Sequence, residues 1–109
     1  MFKKTLRLVG RMDKTRTSVF HSPMFTLQIA KNNLLYNKYG FVVTKKIDKR
    51  AVVRNKIKRK MNVCVEEISK ELQSGYDFLF FAKSAIVAKS KEEISLAIKT
   101  IFIKEGIMQ

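Results

Sequence analysis

The sequence predicts an α+β domain, an α/β sandwich, with elements in the order β-β-α-β-α after a weak helix or coil. Three observations favour this class. Apolar and polar residues alternate over residues 24–31, apolar residues recur at helical spacing over residues 53–72, and a helix-capping sequence at residues 90–93 precedes a second amphipathic stretch. A chain of 109 residues fits one domain, residues 1–109, whose core needs no metal or disulfide.

The first 20 residues are a basic arm. Six lysines and arginines stand against the single acid Asp13, Gly10 interrupts any helix, and few apolar residues could anchor one. The pattern predicts a short helix or a flexible tail. An arm that becomes ordered on RNA and a frayed terminus explain it equally well, so both alternatives stay open.

Two strands are predicted next. Ser22-Pro23 marks a turn before the first strand, residues 24–31. Residues 31–38, which are rich in asparagine, indicate a hairpin loop, and residues 39–47 indicate the second strand. In the first strand the alternation directs Phe25, Leu27 and Ile29 inward and Thr26, Gln28 and Ala30 outward.

A long helix is predicted within residues 45–72. Its apolar residues recur with the 3.6-residue period and form one face, made of Val53, Ile57, Met61, Cys64, Ile68 and Leu72. When the residues are placed at 100° intervals, the opposite side centres on Asn55, Arg59 and Asn62. The sequence therefore predicts a helix with one face in the core and the other in solvent.

The N-terminal half of this helix is strongly basic. Between Lys45 and Lys60 there are nine basic residues and one acid, Asp48. A solvated charged face without a partner is one explanation, but the shortage of acids favours an anionic ligand. Asparagines among the cations favour RNA in particular, because an amide can bond a base edge or a ribose hydroxyl. The helix N-terminus would add to the attraction for phosphate.

A third strand and a second helix follow. Gly75 suits the end of the first helix, and residues 76–83 form a nearly continuous apolar run, typical of a strand covered on both faces. Ser90-Lys-Glu-Glu93 is a capping box for the last helix. The inner stripe of that helix is predicted to be Ile94, Ala97, Ile98 and Ile101.

The charge balance indicates the partner. A net charge of +14 and a pI near 10.2 favour an anionic polymer or surface. RNA is favoured over a membrane because the basic residues are spread over several segments and no long apolar span accompanies them. One cysteine cannot form an internal disulfide, and no signal-peptide pattern is visible. The expected location is the cytoplasm.

The sequence shows no arrangement of residues that a nuclease would need. Its nine carboxylates do not form a spaced cluster for two metal ions. His21 has no second histidine or evident acid partner and is interpreted as a surface or strand-entry residue. Cys64 lies on the apolar stripe and is expected to be a small buried hydrophobe. The sequence therefore predicts binding, with no catalytic residue and no metal ligand on this chain.

The run Gly40-Phe-Val-Val-Thr-Lys-Lys46 is followed by Arg50-Ala-Val-Val-Arg-Asn-Lys-Ile-Lys-Arg59. Together they resemble the signature of the bacterial ribonuclease P protein component, a GxxVxKK strand and then an RNR-type helix. Lys56 replaces the second arginine of that triplet, which keeps the charge but loses a bidentate donor. Asn62 stands where many members carry another arginine. The resemblance covers about residues 22–105.

The resemblance implies a fold and a function. The fold is that of the ribonuclease P protein and of ribosomal protein S5 domain 2-like domains, with a left-handed βαβ crossover. The function is that of the protein subunit of ribonuclease P, which assists an RNA subunit in removing the 5′ leader of precursor tRNA. Catalytic Mg²⁺ is then expected with the RNA, and no cofactor on the protein.

The resemblance also implies two binding surfaces. Thr26 and Gln28, on the outward side of the first strand, would line the cleft for the single-stranded leader. The residues expected to bind the RNA subunit are Lys45, Lys46, Lys49, Arg50, Arg54, Asn55, Lys56, Lys58, Arg59, Lys60 and Asn62.

Two other function classes remain as alternatives. A ribosomal or other structural RNA-binding protein would share the basic surface but would not restore leader cleavage to a catalytic RNA. A membrane-surface protein is disfavoured because the apolar face of the basic helix is needed for the core. DNA is not an expected partner.

Overall fold

The computed structural model describes residues 17–108 of the chain. Two 3₁₀ turns, Ser69–Glu71 and Ser84–Ala88, connect its main elements. Those elements are strands β1 (Thr17–His21), β2 (Phe25–Lys31), β3 (Lys38–Val42) and β4 (Tyr76–Ala82) and helices α1 (Ala51–Ile68) and α2 (Lys91–Lys104).

The four strands form one mixed sheet in the order β1-β2-β4-β3. β1, β2 and β4 pair antiparallel, whereas β3 and β4 are parallel and α1 is the crossover between them. The hand of this crossover stays a prediction from the family resemblance. The predicted hairpin at residues 31–38 is wrong, because β4 lies between the two strands that this loop joins. The strand with the most aromatic residues takes an interior position, where its Phe78 and Phe80 are fully buried.

β1 was not predicted, since residues 17–20 were assigned to the basic arm. Together with His21 these residues form β1, an edge strand that pairs with β2. A tight turn brings the two strands together. The Ser22 hydroxyl accepts hydrogen bonds from the N–H groups of Met24 and Phe25, both at 3.1 Å, and the Ser22 N–H donates to the Phe25 carbonyl at 2.9 Å. The rest of the predicted arm, residues 1–16, lies outside the described residues.

Both helices cover one face of the sheet. The apolar stripe predicted for α1 is confirmed, with Ile57, Met61, Cys64 and Ile68 buried and the two end residues partly buried. Phe102 of α2 contacts Phe78 of β4, with ring centroids 5.1 Å apart. The helices thus enclose a core built on the aromatic side chains of the sheet.

The second helix begins as predicted. The Ser90 hydroxyl accepts a hydrogen bond from the Glu93 N–H at 3.2 Å, and the Glu93 carboxylate lies 3.3 Å from the same hydroxyl. Ile94 and Ile98 are buried, but the third fully buried residue of the helix is Phe102, while Ile101 is only half-buried. The buried face of α2 is therefore centred on Ile94, Ile98 and Phe102, slightly rotated about the helix axis from the predicted face.

Candidate nucleic-acid interface

The segment before α1 has a fixed conformation. β3 ends at Val42, not at residue 47 as predicted, so residues 43–50 form a connection from the sheet to the helix. Asp48 accepts hydrogen bonds from the Arg50 N–H at 2.8 Å and from its guanidinium at 2.9 and 3.1 Å. The Arg54 guanidinium donates to the carbonyl oxygens of Asp48 at 3.0 Å and Lys49 at 2.8 Å. Arg54 therefore ties the connection to the first turn of the helix.

The charge of this segment is only slightly reduced by its acid. Hydrogen bonds from the Arg50 side chain and backbone lower the pKa of Asp48 to about 2, so its carboxylate stays ionised at neutral pH. It offsets the charge of Arg50, whose side chain is still 74% exposed. α1 starts without a side-chain cap and without an acid in its first turn. Its positive end therefore adds to the surrounding cations.

Most of the predicted RNA-binding residues lie together on this end of the molecule. Arg54, Lys58 and Lys60 are partly exposed. The exposed ones are Lys45, Lys46, Lys49, Arg50, Asn55, Lys56 and Arg59. We call these ten residues the basic surface. The grouping was predictable because residues of the connection and of the first three turns of one helix cannot lie far apart in space.

Asn62 is the exception, because it is only 5% exposed and does not belong to the polar face. The sequence-based wheel placed it opposite the core, which is wrong. α1 packs against both β3 and α2, and Val65 is buried beside the predicted stripe, so the buried arc is wider than that stripe. Asn62 falls at the edge of the wider arc.

Acids and bases are separated along α1. Glu67, near its C-terminal end, pairs with Lys91 of α2, and Glu93 pairs with Lys89 at 3.5 Å. Within residues 17–108, no carboxylate forms a salt bridge with Lys56, Lys58 or Arg59. The N-terminal half of the helix therefore presents its cations to solvent, where a polyanion would be attracted.

The sheet face away from the helices is a second surface, which we call the open face. Strand register places Thr26 beside Phe81, and Gln28 between Val19 and Leu79. The outward orientation predicted for Thr26 and Gln28 is confirmed, and both are half-buried. The remaining residues of this face are Thr17, His21, Ala30, Lys38, Gly40, Val42 and Asp77. The face combines apolar and hydrogen-bonding side chains, as a surface that receives unstacked bases requires.

Sequence reasoning missed the apolar part of the open face. Val19 was hidden in the predicted arm, although it is 47% exposed on β1. Leu79 and Phe81 belong to the apolar run that was interpreted as buried on both sides, yet both are half-buried on the open face. Leu79 and Phe81 alternate with the buried Phe78 and Phe80 along the strand. Because all four residues are apolar, residue type alone does not show which face each one occupies.

His21 and Cys64, the two side chains considered for catalysis, lie in different environments. His21 is exposed, and its Nδ1 lies 3.3 Å from the Thr26 hydroxyl. Cys64 is buried as predicted; burial raises the pKa of its thiol, and its Sγ donates to the Lys91 carbonyl at 3.4 Å. In residues 17–108, no three His, Cys, Asp or Glu side chains come together as metal ligands. Nor does any helix in that range have the length and apolarity to cross a membrane.

Comparison with known proteins gives one consistent family. A family model described as Ribonuclease P matches residues 2–105. The ribonuclease P protein component of Alkaliphilus oremlandii is 31% identical over 85 residues, 78% of this chain and 74% of that protein. That of Clostridium botulinum strain 657 is 31% identical over 105 residues, 95% of this chain and 90% of that protein.

The fold is also shared with solved structures. The structure of the Staphylococcus aureus RNase P protein aligns with a TM-score of 0.81 and 19% identity, over 97% of this chain and 100% of that chain. The likeness confirms the α+β fold predicted from the sequence.

Proposed function

Because this chain belongs to the ribonuclease P protein family, we propose that it is the protein subunit that joins a catalytic RNA to precursor tRNA. The observation that supports this most is the meeting of two surfaces at one end of the sheet. β3 ends there at Val42, and the exposed Lys45 and Lys46 follow directly in the connection to α1. One RNA on the basic surface and a second on the open face would therefore lie side by side.

The basic surface would bind the catalytic RNA. Arg59 is exposed on α1 and has the planar donor set that suits phosphate. Asn55 is also exposed and can bond a base edge or a ribose hydroxyl. Lys56, in place of an arginine, would contribute a point charge only.

The open face would bind the 5′ leader of precursor tRNA. Phe81 and Leu79 offer apolar area for bases, and Thr26 and Gln28 offer hydrogen bonds beside them. The open face suits a single strand better than a duplex, since unstacked bases can lie on its side chains.

The chemistry would belong to the RNA subunit. Mg²⁺ would be held by the RNA, and this chain would carry out no step of cleavage; within residues 17–108 no group of three His, Cys, Asp or Glu side chains could hold a metal ion. The protein would neutralise phosphates where two RNAs approach and would hold the leader in position. Its place of action would be the cytoplasm.

The first test is reconstitution of leader removal. We expect the protein to restore precursor-tRNA cleavage by a bacterial catalytic RNA at low Mg²⁺, and rigorously RNA-free protein to leave the same substrate intact. The measurement is the rate of 5′ leader release with protein alone, RNA alone and both together.

Each arm of this experiment can fail separately. Leader removal by the RNA-free protein would contradict the assignment of chemistry to the RNA. If the protein binds RNA but does not increase the rate, the chain behaves as a structural RNA-binding protein. Binding to anionic vesicles at moderate salt would instead indicate a membrane-surface protein.

A further inference from the structure

β1 is an edge strand of the sheet, with one side open to a further strand. It pairs with β2 along all five of its residues, and residues 17–108 place no strand on its other side. An edge strand directs a row of N–H and C=O groups away from its sheet, and such a row can pair with another chain. The row that β1 offers is about 17 Å long.

β1 lacks the features that usually protect an edge strand. Its sequence, Thr-Ser-Val-Phe-His, contains no lysine, arginine, carboxylate or proline, although 23 of the 109 residues of the chain are lysine or arginine. Val19, at the centre of β1, is 47% exposed. β3, the strand at the other edge of the sheet, begins with Lys38 and contacts α1. Of the two edges, β1 is therefore the one suited to pairing.

Two copies of β1 are complementary to each other when they pair antiparallel about Val19. In this register Val19 lies opposite the partner's Val19. Ser18 then lies opposite the partner's Phe20. Thr17 lies opposite the partner's His21. Any other centre leaves part of the strand unpaired, and a cross-strand pair of β-branched side chains stabilises a sheet.

The side chains on both faces of β1 favour this register. On the open face, the His21 Nδ1 lies 3.3 Å from the Thr26 hydroxyl of β2, and the dimer would repeat this pair of residue types through Thr17. On the other face, Ser18 and Phe20 line a cavity of about 440 Å³ between the sheet and the residues that follow α2. The partner's Phe20, opposite Ser18, would cover part of this cavity.

The basic surface lies away from β1. It follows β3, which is at the opposite edge of the sheet order β1-β2-β4-β3. Pairing through β1 would therefore join two four-stranded sheets into one and leave a basic surface at each far end. Two copies that each carry a net charge of +14 still repel one another, and salt screens this repulsion.

We propose that β1 is the contact of a symmetric homodimer, in which two copies of this chain pair antiparallel about Val19. An edge of five residues provides less contact than the roughly 1,200–2,000 Å² of a stable interface, so the dimer is weak, with a dissociation constant in the micromolar range. The contact does not depend on the proposed function, because the basic surface takes no part in it.

Cysteine cross-linking of the RNA-free protein tests the register. In the dimer the Cα atoms of the two Val19 residues lie about 4.5–5.5 Å apart, within the reach of a disulfide. The two Ser18 residues are diagonal neighbours about 7–8 Å apart, which is too far. With oxidised glutathione, Val19→Cys should form a linked dimer about tenfold faster than Ser18→Cys. Leu35→Cys, at a side chain that is 95% exposed, measures linkage by random collision, and the native Cys64 does not compete because it is buried.

The salt dependence of association tests the contact itself. The RNA-free protein is followed by analytical ultracentrifugation as salt is raised from about 0.1 M to about 0.5 M. The dimer should increase with salt in the parent and in Leu96→Lys, which adds a charge on α2 at a side chain that is 68% exposed. Val19→Lys places two ammonium groups opposite each other, so it should raise the dissociation constant by about fivefold or more.

Each of four results would overturn the proposal. Val19→Cys and Ser18→Cys could link at equal rates, or Val19→Lys could associate as strongly as Leu96→Lys. The parent could stay monomeric over the whole salt range at a protein concentration of about 0.5 mM, far above a micromolar dissociation constant. A dimer that dissociates as salt rises would be one bridged by residual nucleic acid, not by β1.

Discussion

Arg54→Ala is expected to weaken both the folded protein and its complex with the catalytic RNA, whereas Arg59→Ala should weaken the complex alone. The Arg54 guanidinium donates to two carbonyl oxygens of the connection before α1, at 2.8 and 3.0 Å. Arg59 is exposed, and the described residues give its guanidinium no such partner. We expect each substitution to weaken RNA binding by about 1.5–3 kcal/mol, the range for hydrogen bonds to a charged group.

The two arginines should separate in stability measurements. Urea unfolding of Arg54→Ala should show a loss of about 1 kcal/mol or more, because two carbonyl groups lose their charged donor. Arg59→Ala should unfold within about 0.5 kcal/mol of the parent. Lys104→Ala, which removes an exposed charge on α2, is the control. An equal loss of RNA affinity in all three variants would mean that bulk charge, not the basic surface, determines binding.

The double role of Arg54 has a physical origin. Nine cations between Lys45 and Lys60 repel one another, and only Asp48 opposes them. The connection stays ordered because backbone carbonyls, which carry partial negative charge, accept from Arg54 while the Asp48 carboxylate accepts from Arg50. The fold thus uses one arginine to hold the others in position, through two hydrogen bonds from a single guanidinium nitrogen.

Features set by local periodicity were predictable from the sequence. The α1 stripe, the outward positions on β2 and the Ser90 cap depend on neighbours within about four residues, so sequence spacing alone specifies them. The basic surface was predictable for the same reason. Its assignment to RNA needed the family resemblance as well, because a charged helix face is common in solvated proteins.

Features set by long-range packing were not predictable. The position of β4 between β2 and β3 depends on which strand buries most aromatic area, and the eight-residue loop gave no sign of it. The burial of Asn62 depends on how widely α1 contacts its neighbours.

Gln28→Tyr is expected to tighten binding of leader-bearing substrate without changing the affinity for mature tRNA or for the catalytic RNA. Gln28 lies on β2 between Val19 and Leu79, so a tyrosine ring there would extend an apolar row on the open face. Stacking on an aromatic ring contributes about 1–3 kcal/mol per base in single-strand binders, and a narrow open face would allow only part of this gain.

The matched control for this substitution is Leu96→Tyr, which adds the same ring to a position on α2 that is 68% exposed and on the other side of the molecule. The three equilibria are measured for both variants at one salt concentration, and the salt dependence of precursor binding is measured for the parent. The logarithm of affinity should fall against the logarithm of salt by about 0.7 for each phosphate neutralised on a single strand. Because a tyrosine adds no charge, Gln28→Tyr should raise the affinity and leave that slope unchanged. A uniform gain for all three ligands, or an equal gain in Leu96→Tyr, would place the leader away from the open face.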